Sequence, residues 1–311
     1  MSVQISFENV VKTYRHNGQT LNAIDNLSFE IELGEFVGYA GPNGAGKSTS
    51  LKAMTGVLAV TSGHIRVRGV DPLRHRQQLA RHTGTVFGQR SQMLWELSPS
   101  SYFEMVRALY RLSKTESLGR LDDLSDKLGL GSFIDQPVRT LSLGQRMRSE
   151  LAAALLPKPE ILFLDEPTIG LDLEAKETIR NVLRDLNVED GTTVVLTTHD
   201  LNDIEALCSR LMIIDHGRLA YDGNIDGLYE NHSPQRVVEF HVKGAVKVDI
   251  PSVWDVEHNT DRLRVTFDRR TVNATDVIRK VLSQIDVVDL RILEPDIEEV
   301  IGTIYRSTRE Q

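Results

Sequence analysis

A glycine-rich segment between a predicted strand and a predicted helix constrains this chain most. Residues 35–40 are strand-like, residues 47–56 have a helical pattern, and residues 41–48, which join the two, match G-x-x-x-x-G-K-[ST]. The loop consists of Gly41, Pro42, Asn43, Gly44, Ala45, Gly46, Lys47, Ser48 and Thr49. Glycines let consecutive backbone N–H groups point at one anion, and the helix N-terminus adds positive potential. The pattern predicts a nucleoside triphosphate site, with Lys47 at the β- and γ-phosphates and Ser48 on Mg²⁺.

Two acidic residues follow a second predicted strand. Residues 161–164 are all apolar, and Asp165 and Glu166 come directly after them. Ligands of an open parallel sheet lie at the carboxyl ends of its strands, so both acids are expected to face the phosphates. We expect Asp165 to hold the Mg²⁺ shell and Glu166 to polarise the attacking water. His199 ends the predicted strand 193–198 and is interpreted as a γ-phosphate sensor, with a structural or solvated histidine as the alternative.

Composition excludes several classes of protein. The chain has 311 residues and a formal net charge of −8, from 36 Lys and Arg against 44 Asp and Glu. This acidic balance argues against a general nucleic-acid binder. The apolar runs are far shorter than the roughly 20 residues of a membrane span, and no signal peptide is visible. A single cysteine, Cys208, fits a core residue in a reducing cytosol.

The pattern along the chain changes near residue 230. Before that point, short apolar runs alternate with helical patterns, as in β/α units. Three helical patterns without strand signals indicate a helical subdomain over about residues 90–157; they cover 97–112, 117–130 and 143–156. The last part has predicted strands at 237–242, 245–250, 262–267 and 287–293 and helices at 272–285 and 295–305. We therefore predict one domain over residues 1–230 and a small α+β domain over residues 231–311.

The segment Leu141-Ser142-Leu143-Gly144-Gln145 separates this chain from kinases, helicases and small GTPases. It resembles the LSGGQ signature of ATP-binding cassette (ABC) proteins. Ser142 and Gln145 also have the spacing of a helix capping box. Both interpretations hold together, because a capped helix N-terminus with free N–H groups is an anion site. Leu143 departs from the usual glycine, and its side chain must point away from the nucleotide.

Four further motifs follow the order found in that family. Gln89 resembles the Q-loop glutamine that contacts Mg²⁺ and the attacking water, and the segment ending at Asp172 resembles the D-loop. His199 resembles the switch histidine. Tyr14 resembles the A-loop aromatic that stacks on adenine, although alone it is equally an ordinary strand aromatic. The resemblance covers residues 3–228.

The resemblance implies a fold and a mechanism. The fold is α/β: a P-loop NTPase (RecA-like) ABC cassette with an antiparallel β subdomain and an inserted helical subdomain, followed by the small α+β domain. The activity is hydrolysis of ATP with Mg²⁺. Two cassettes pair head to tail, so that Ser142, Gly144 and Gln145 of one chain contact the ATP held by the other. A homodimer is favoured by symmetry, and pairing with a different cassette stays open.

Among ABC proteins we favour the motor subunit of a membrane transporter, working at the cytoplasmic face of the membrane with separate permease subunits. The interval from Lys47 to Ser142 is too short for the coiled coil of chromosome-maintenance proteins. Soluble translation factors carry two cassettes, and a non-ABC phosphotransferase lacks the signature. Residues 91–95 after Gln89 suit either permease docking or packing within the helical subdomain. Residues 87–97 and the phrase E-P-x-x-E-x-V at 294–300 resemble exporters of drugs and antibiotics; an importer ATPase with a regulatory C-terminal domain is the alternative.

Overall fold

The computed structural model describes residues 2–16, 19–87, 91–198, 200–244, 248–251, 254–259, 261–295 and 297–309. The chain divides into two compact units, Met1–Asp222 and Gly223–Gln311. The division lies before the helix Ile225–His232, whereas the sequence pattern placed it after residue 230. That helix therefore groups with the second unit.

The first unit contains nine strands and seven α-helices within the described ranges. The strands are β1 Val3–His16, β2 Gln19–Glu32, β3 Phe36–Ala40, β4 Ser62–Val67, β5 Thr83–Phe87, β6 Ile161–Asp165, β7 Thr193–Thr197, β8 Arg210–Asp215 and β9 Arg218–Gly223. The helices are α1 Lys47–Met54, α2 Arg76–Leu79, α3 Pro99–Tyr110, α4 Lys114–Leu128, α5 Leu143–Leu155, α6 Leu173–Asp190 and α7 Leu201–Leu207.

A six-stranded sheet with the order β5-β6-β7-β3-β8-β9 forms the centre of this unit. Strands β5, β6, β7, β3 and β8 pair in parallel. β3 and β7 are buried along their whole length, which explains why they appear in the sequence as continuous apolar or β-branched runs. Since parallel strands end at one edge, the loop after β3 and the acids at the end of β6, Asp165 and Glu166, meet there.

A second sheet, with the order β2-β1-β4, is antiparallel. One of its faces is apolar and contributes Phe7 and Phe29, whose stacked rings lie 4.4 Å apart, to a core cluster shared with β3 and α1. The antiparallel β subdomain inferred from the family resemblance is thus present.

Helices α3, α4 and α5 form the inserted helical subdomain, close to the bounds that the sequence predicts. Each begins at a serine whose side chain accepts a hydrogen bond from the backbone of the first turn: Ser98, Ser113 and Ser142. Such caps satisfy orphan N–H groups and define where a helix starts. The buried residues of α5 include Met147 and Leu151, which continue its apolar face into the subdomain core.

The second unit is a small α+β domain. Its elements are α8 Ile225–His232, β10 Gln235–Val242, β11 Asp255–Asn259, β12 Arg262–Asp268, α9 Ala274–Leu282, β13 Val287–Leu293 and α10 Ile297–Arg309. The four strands pair antiparallel in the order β11-β12-β10-β13. Alternate residues of β10 and β12, among them Phe240 and Val265, form a core with Val277 and Val281 of α9.

One predicted strand of this unit is not formed as expected. Of residues 245–250, the first three lie outside the described residues, and 248–250 have no strand structure. An unpredicted edge strand, β11, pairs with β12 instead. All five residues of β11 are exposed, so its sequence carries no apolar alternation.

Two further sequence expectations concern membrane-spanning helices and the single cysteine. Among the described residues, no helix is both long and apolar enough to cross a membrane. Cys208 is 9% exposed, and burial raises the pKa of its thiol, as expected for a core cysteine.

Candidate nucleotide site

The phosphate-binding loop runs from the end of β3 to the start of α1. Gly44 and Gly46 adopt φ values of 84° and 107°, in the left-handed region that favours glycine. A Cβ on Gly46 would lie 2.1 Å from the backbone oxygen of Ala23, so no larger residue fits. No side chain caps the N-terminus of α1, whose first N–H groups are therefore available to an anion.

Lys47 lies at the first position of α1 and is 6% exposed. Its ammonium group donates hydrogen bonds to the carbonyl oxygens of Gly41 at 2.6 Å and Pro42 at 3.1 Å. Burial lowers the pKa of Lys47, and the nearby carboxylates of Glu166 and Asp165 act in the opposite direction. The side chain is thus folded over the loop, near Asp165 and Glu166 at the end of β6.

Ser48, Asp165 and Thr197 converge at the edge of the parallel sheet. The Ser48 hydroxyl donates to Oδ1 of Asp165 at 3.2 Å, and the Thr197 hydroxyl donates to the same oxygen at 2.6 Å. A hydroxyl beside a carboxylate is an oxygen donor set that suits Mg²⁺. Two of the three residues predicted to hold the metal, Ser48 and Asp165, are therefore adjacent; the third, Gln89, lies outside the described residues.

Glu166 lies at the next position and is 9% exposed. Its φ of 55° is unusual for a residue with a side chain, and its backbone N–H donates to the carbonyl of Thr197 at 2.9 Å. Glu166 lines the same cavity as the phosphate loop, with a volume of about 680 Å³. The cavity is lined by Ala23, Gly41, Pro42, Asn43, Gly44, Gly46, Lys47, Ser48, Thr49, Glu166 and Ile169. Ala45 is instead buried beneath the loop and accepts a hydrogen bond from Gly217 N–H.

Gln89 and His199, the other two predicted catalytic residues, lie outside the described residues. The residues next to His199 are described. Asp200 caps α7 and forms an ion pair of 2.5 Å with Lys176 on α6. Asp203, which is fully buried, accepts hydrogen bonds from Thr168 and Arg180. These contacts connect α6 and α7 with the loop that follows Glu166.

The signature segment has the capping box that the sequence predicts. Gln145 N–H donates to the Ser142 hydroxyl at 3.2 Å, and Ser142 N–H donates to the Gln145 side chain at 2.9 Å. Within the described part of the chain, the lining of the phosphate cavity includes neither of these residues. The signature thus forms no part of the described wall of the phosphate cavity in its own chain.

Two glycines explain how the signature packs. A Cβ on Gly144 would approach the Cβ of Ala175 on α6 to 3.0 Å, so glycine permits α5 and α6 to meet closely at their N-terminal ends. Leu143, which replaces the usual glycine, is 42% exposed. Its Cδ2 lies 3.2 Å from where a Cβ on Gly170 would stand, next to the D-loop segment.

Tyr14 lies on β1 opposite Leu21 of β2 and is 41% exposed. The ammonium group of Lys12 lies 5.1 Å from the centre of its ring. Tyr14 is not among the residues that line the phosphate cavity. It is an exposed strand aromatic whose stacking on adenine stays a prediction.

Residues 91–95, for which permease docking and packing within the helical subdomain are the two interpretations, differ in exposure. Met93 is 3% exposed, whereas Leu94 and Trp95 are 53% and 58% exposed. The guanidinium of Arg146 on α5 lies 5.4 Å from the Trp95 ring centre.

Sequence reasoning missed three residues of functional interest. In the sequence, Thr197 is only part of the predicted strand 193–198, although a hydroxyl at the end of β7 is a signal for contact with the end of β6. Asp203 and Glu150 lie on helices, where an acid ordinarily faces solvent; both are buried. Only the three-dimensional packing distinguishes them from surface residues.

The described geometry is that of a P-loop ATPase of the cassette type. It combines a phosphate-binding loop with paired acids at the end of a neighbouring parallel strand, and its inserted subdomain carries a capped signature helix. The family model for ABC transporters matches residues 24–169. The chain is 32% identical to the daunorubicin resistance ATP-binding protein DrrA3 of Streptomyces coeruleorubidus, and the similarity covers 89% of this chain and 89% of DrrA3. It is also 32% identical to the methionine import ATP-binding protein MetN of Geobacillus kaustophilus, over 75% of this chain and 69% of MetN.

A solved structure supports the same assignment. This structure shows the ATP-binding cassette MJ0796 as a dimer in a post-hydrolysis state, bound to ADP and Pi. Its sequence is 30% identical to this chain, the match covers 71% of this chain and 98% of the MJ0796 chain, and the TM-score is 0.65. The chain belongs to the ABC transporter family and is an ATP-binding, ATP-hydrolysing subunit. The fold and the enzyme class predicted from its motifs are confirmed.

Proposed function

We propose that this chain is the ATP-driven motor of an exporter for drug-like or antibiotic-like amphiphiles, acting at the cytoplasmic face of the membrane through separate permease subunits. Hydrolysis rests on the residues around the phosphate cavity. The loop N–H groups and Lys47 bind the β- and γ-phosphates, for which Lys47 exchanges its two carbonyl partners. Glu166, on the cavity wall, polarises the attacking water, and Gln89 and His199 orient it.

Ser48 and Asp165 fit the magnesium ion that accompanies ATP. The hydroxyl and the carboxylate lie 3.2 Å apart, and Thr197 fixes the carboxylate from the other side. When bound, the ion supplies positive charge that stabilises the phosphoryl group during transfer. Gln89 is proposed as a further ligand.

A second cassette completes the site. Ser142, Gly144 and Gln145 lie away from the phosphate cavity of their own chain, which supports contact with the ATP of a partner chain. The capped start of α5 offers N–H groups and positive potential to the γ-phosphate. The related cassette MJ0796 is described as dimeric, and we propose a homodimer here, with ATP held between the subunits.

A sequence motif near the C-terminal end supports export as the proposed direction of transport. Glu294-Pro295-Asp296-Ile297-Glu298-Glu299-Val300 has the E-P-x-x-E-x-V phrase of drug-exporter cassettes, and Ile297 and Val300 anchor α10 as buried residues. The similarity to a daunorubicin resistance protein extends over 89% of the chain and supports the same direction. Import is the alternative, because the chain is equally identical to a methionine import protein over a shorter stretch.

Inside-out membrane vesicles test the direction, with daunorubicin as the fluorescent probe. The chain is produced together with the membrane proteins encoded beside it. An exporter takes up daunorubicin into these vesicles when ATP is added, and Glu166→Gln abolishes the uptake. ATP-dependent methionine uptake into right-side-out vesicles, with none of daunorubicin into inside-out ones, would instead establish import.

A further inference from the structure

The sheet of the small α+β domain has an edge strand with exposed apolar side chains. This strand, β13, pairs with β10 alone among the strands that the structure describes, so one side of its backbone is open. On it, Val288 is 64% exposed and Ile292 is 42% exposed. Proteins ordinarily protect an open edge strand with charges, bulges or a covering segment, because its unpaired N–H and C=O groups can pair with another strand.

The opposite edge strand of the same sheet, β11, has such protection. Its sequence, Asp-Val-Glu-His-Asn, contains two acids, and all five residues are exposed. Two copies of this acidic strand would repel each other when placed side by side. The two edges of the sheet therefore differ, and β13 is the edge suited to pairing.

The sequence of β13 is complementary to itself. From Val288 to Ile292 it contains an apolar, an acidic, an apolar, a basic and an apolar residue. If two copies lie antiparallel with Leu290 on the two-fold axis, Val288 lies opposite Ile292 of the second copy. Asp289 then lies opposite Arg291 of the second copy, and symmetry forms this ion pair twice. A register centred on Asp289 or Arg291 places like charges opposite each other, so the register centred on Leu290 is favoured.

The charged side chains of β13 are available for this pairing. Asp289 and Arg291 are exposed, and neither forms an ion pair within the described part of the chain. Glu239, which lies opposite Arg291 on β10, is already bound to Arg264 at 2.7 Å. The Leu290 N–H donates to Oδ1 of its neighbour Asp289 at 2.8 Å. A second strand offers this N–H a backbone carbonyl and releases the carboxylate for an arginine.

We propose that β13 pairs antiparallel with β13 of a second copy of this chain, centred on Leu290, and joins two four-stranded sheets into one of eight strands. The contact is isologous, because the same surface is used by both copies. It consists of backbone hydrogen bonds, two symmetric ion pairs and apolar contacts, none of which involves a nucleotide. It is therefore separate from the ATP-bridged pairing of cassettes proposed above, and it does not depend on the direction of transport.

Sedimentation of the full chain without nucleotide tests the contact. We expect a monomer–dimer equilibrium. Asp289→Arg and Arg291→Glu should each weaken the association by roughly tenfold or more, because each places like charges opposite each other at two positions. The matched control is Asp255→Arg, the same charge change on the edge strand β11, and it should leave the equilibrium unchanged. A chain that stays monomeric without ATP, or a dimer that neither β13 variant weakens, overturns the proposal.

Mixing the two β13 variants tests the pairing directly. In a mixed dimer, the introduced arginine faces the introduced glutamate, and the remaining Arg291 and Asp289 face each other. The mixture should therefore associate with an affinity within about twofold of that of the unmodified chain. A folding defect or an effect of charge elsewhere on the surface does not produce this rescue. If the mixture associates no better than either variant alone, the proposal is wrong.

Disulfide formation then tests the register. Val288→Cys and Ile292→Cys are prepared separately and oxidised without nucleotide, alone and mixed. The mixture should form a crosslinked dimer, because the two introduced thiols lie opposite each other. Either variant alone places its thiols about 13 Å apart along the strands, beyond the reach of a disulfide. Cys208 is buried in every sample, and the unmodified chain controls for it. Equal crosslinking of the single variants, or crosslinking only after ATP is added, contradicts the proposed contact.

Discussion

The hydroxyl of Thr197, at the end of β7, donates a 2.6 Å hydrogen bond to Oδ1 of Asp165, at the end of β6. The same oxygen receives the Ser48 hydroxyl at 3.2 Å. This one carboxylate oxygen therefore joins α1, β6 and β7. A backbone hydrogen bond from Glu166 N–H to the Thr197 carbonyl adds a second link between the ends of β6 and β7. Thr197 therefore helps to orient the acid that we expect beside the magnesium ion.

We predict that Thr197→Val lowers ATPase turnover by roughly tenfold or more, because a hydrogen bond to a charged group contributes about 1.5–3 kcal/mol. The side chain is buried and valine has nearly the same shape, so the chain should still fold. The Mg²⁺ concentration for half-maximal activity should rise in steady-state assays. Thr178→Val, at an exposed hydroxyl on α6, is the matched control and should leave both values unchanged.

Glu166→Gln should leave ATP binding intact while nearly abolishing hydrolysis, because glutamine keeps the shape of the side chain but cannot act as a base. An ATP-dependent dimer should accumulate and be detected by size-exclusion chromatography with ATP. Glu189→Gln, an exposed acid on α6, serves as control and should behave as the unmodified chain. Turnover of Glu166→Gln within tenfold of the unmodified chain would contradict the assigned role.

Tyr14→Ala should weaken nucleotide binding, with a smaller effect on turnover at saturating ATP, if the exposed ring stacks on adenine. Leu21→Ala is the control, since Leu21 lies opposite Tyr14 in the strand pair and is 68% exposed. Binding is measured by titration with a fluorescent ATP analogue. Equal affinity of the two variants would show that Tyr14 is an ordinary strand aromatic.

Much of the nucleotide site follows from local sequence, because each motif contains its own geometry. Gly46 must be glycine in its left-handed turn, and Asp165 and Glu166 are positioned by the end of the buried strand β6. The capping box at Ser142 is also a local feature. In contrast, Glu150 and Asp203 become functional candidates only through burial against distant segments. The exposed strand β11 lacks an apolar pattern, so only its pairing with β12 identifies it.

Glu150→Gln should stabilise the isolated chain at neutral pH. Burial raises the pKa of Glu150 above the ordinary value of 4.5, so the folded chain binds this proton more tightly than the unfolded chain does. Its stability therefore falls as pH rises from the unfolded pKa through the folded one, and glutamine removes that loss. In thermal melts, the Tm advantage of the variant should be present at about pH 7.5 and shrink toward about pH 4.5. An advantage independent of pH would contradict an ionised, buried carboxylate.

Ser142→Asp should separate the two roles of the signature serine. Aspartate caps helices about as well as serine, so the melting temperature should change little. Its negative charge, however, repels the γ-phosphate of the ATP that we propose the partner chain holds, and ATP-dependent dimerisation and turnover should fall by at least about tenfold. Ser113→Asp, at the equivalent cap of α4, is the matched control and should retain both activities. If Ser142→Asp keeps full turnover, the serine is a helix cap alone and the signature contributes no contact to the nucleotide.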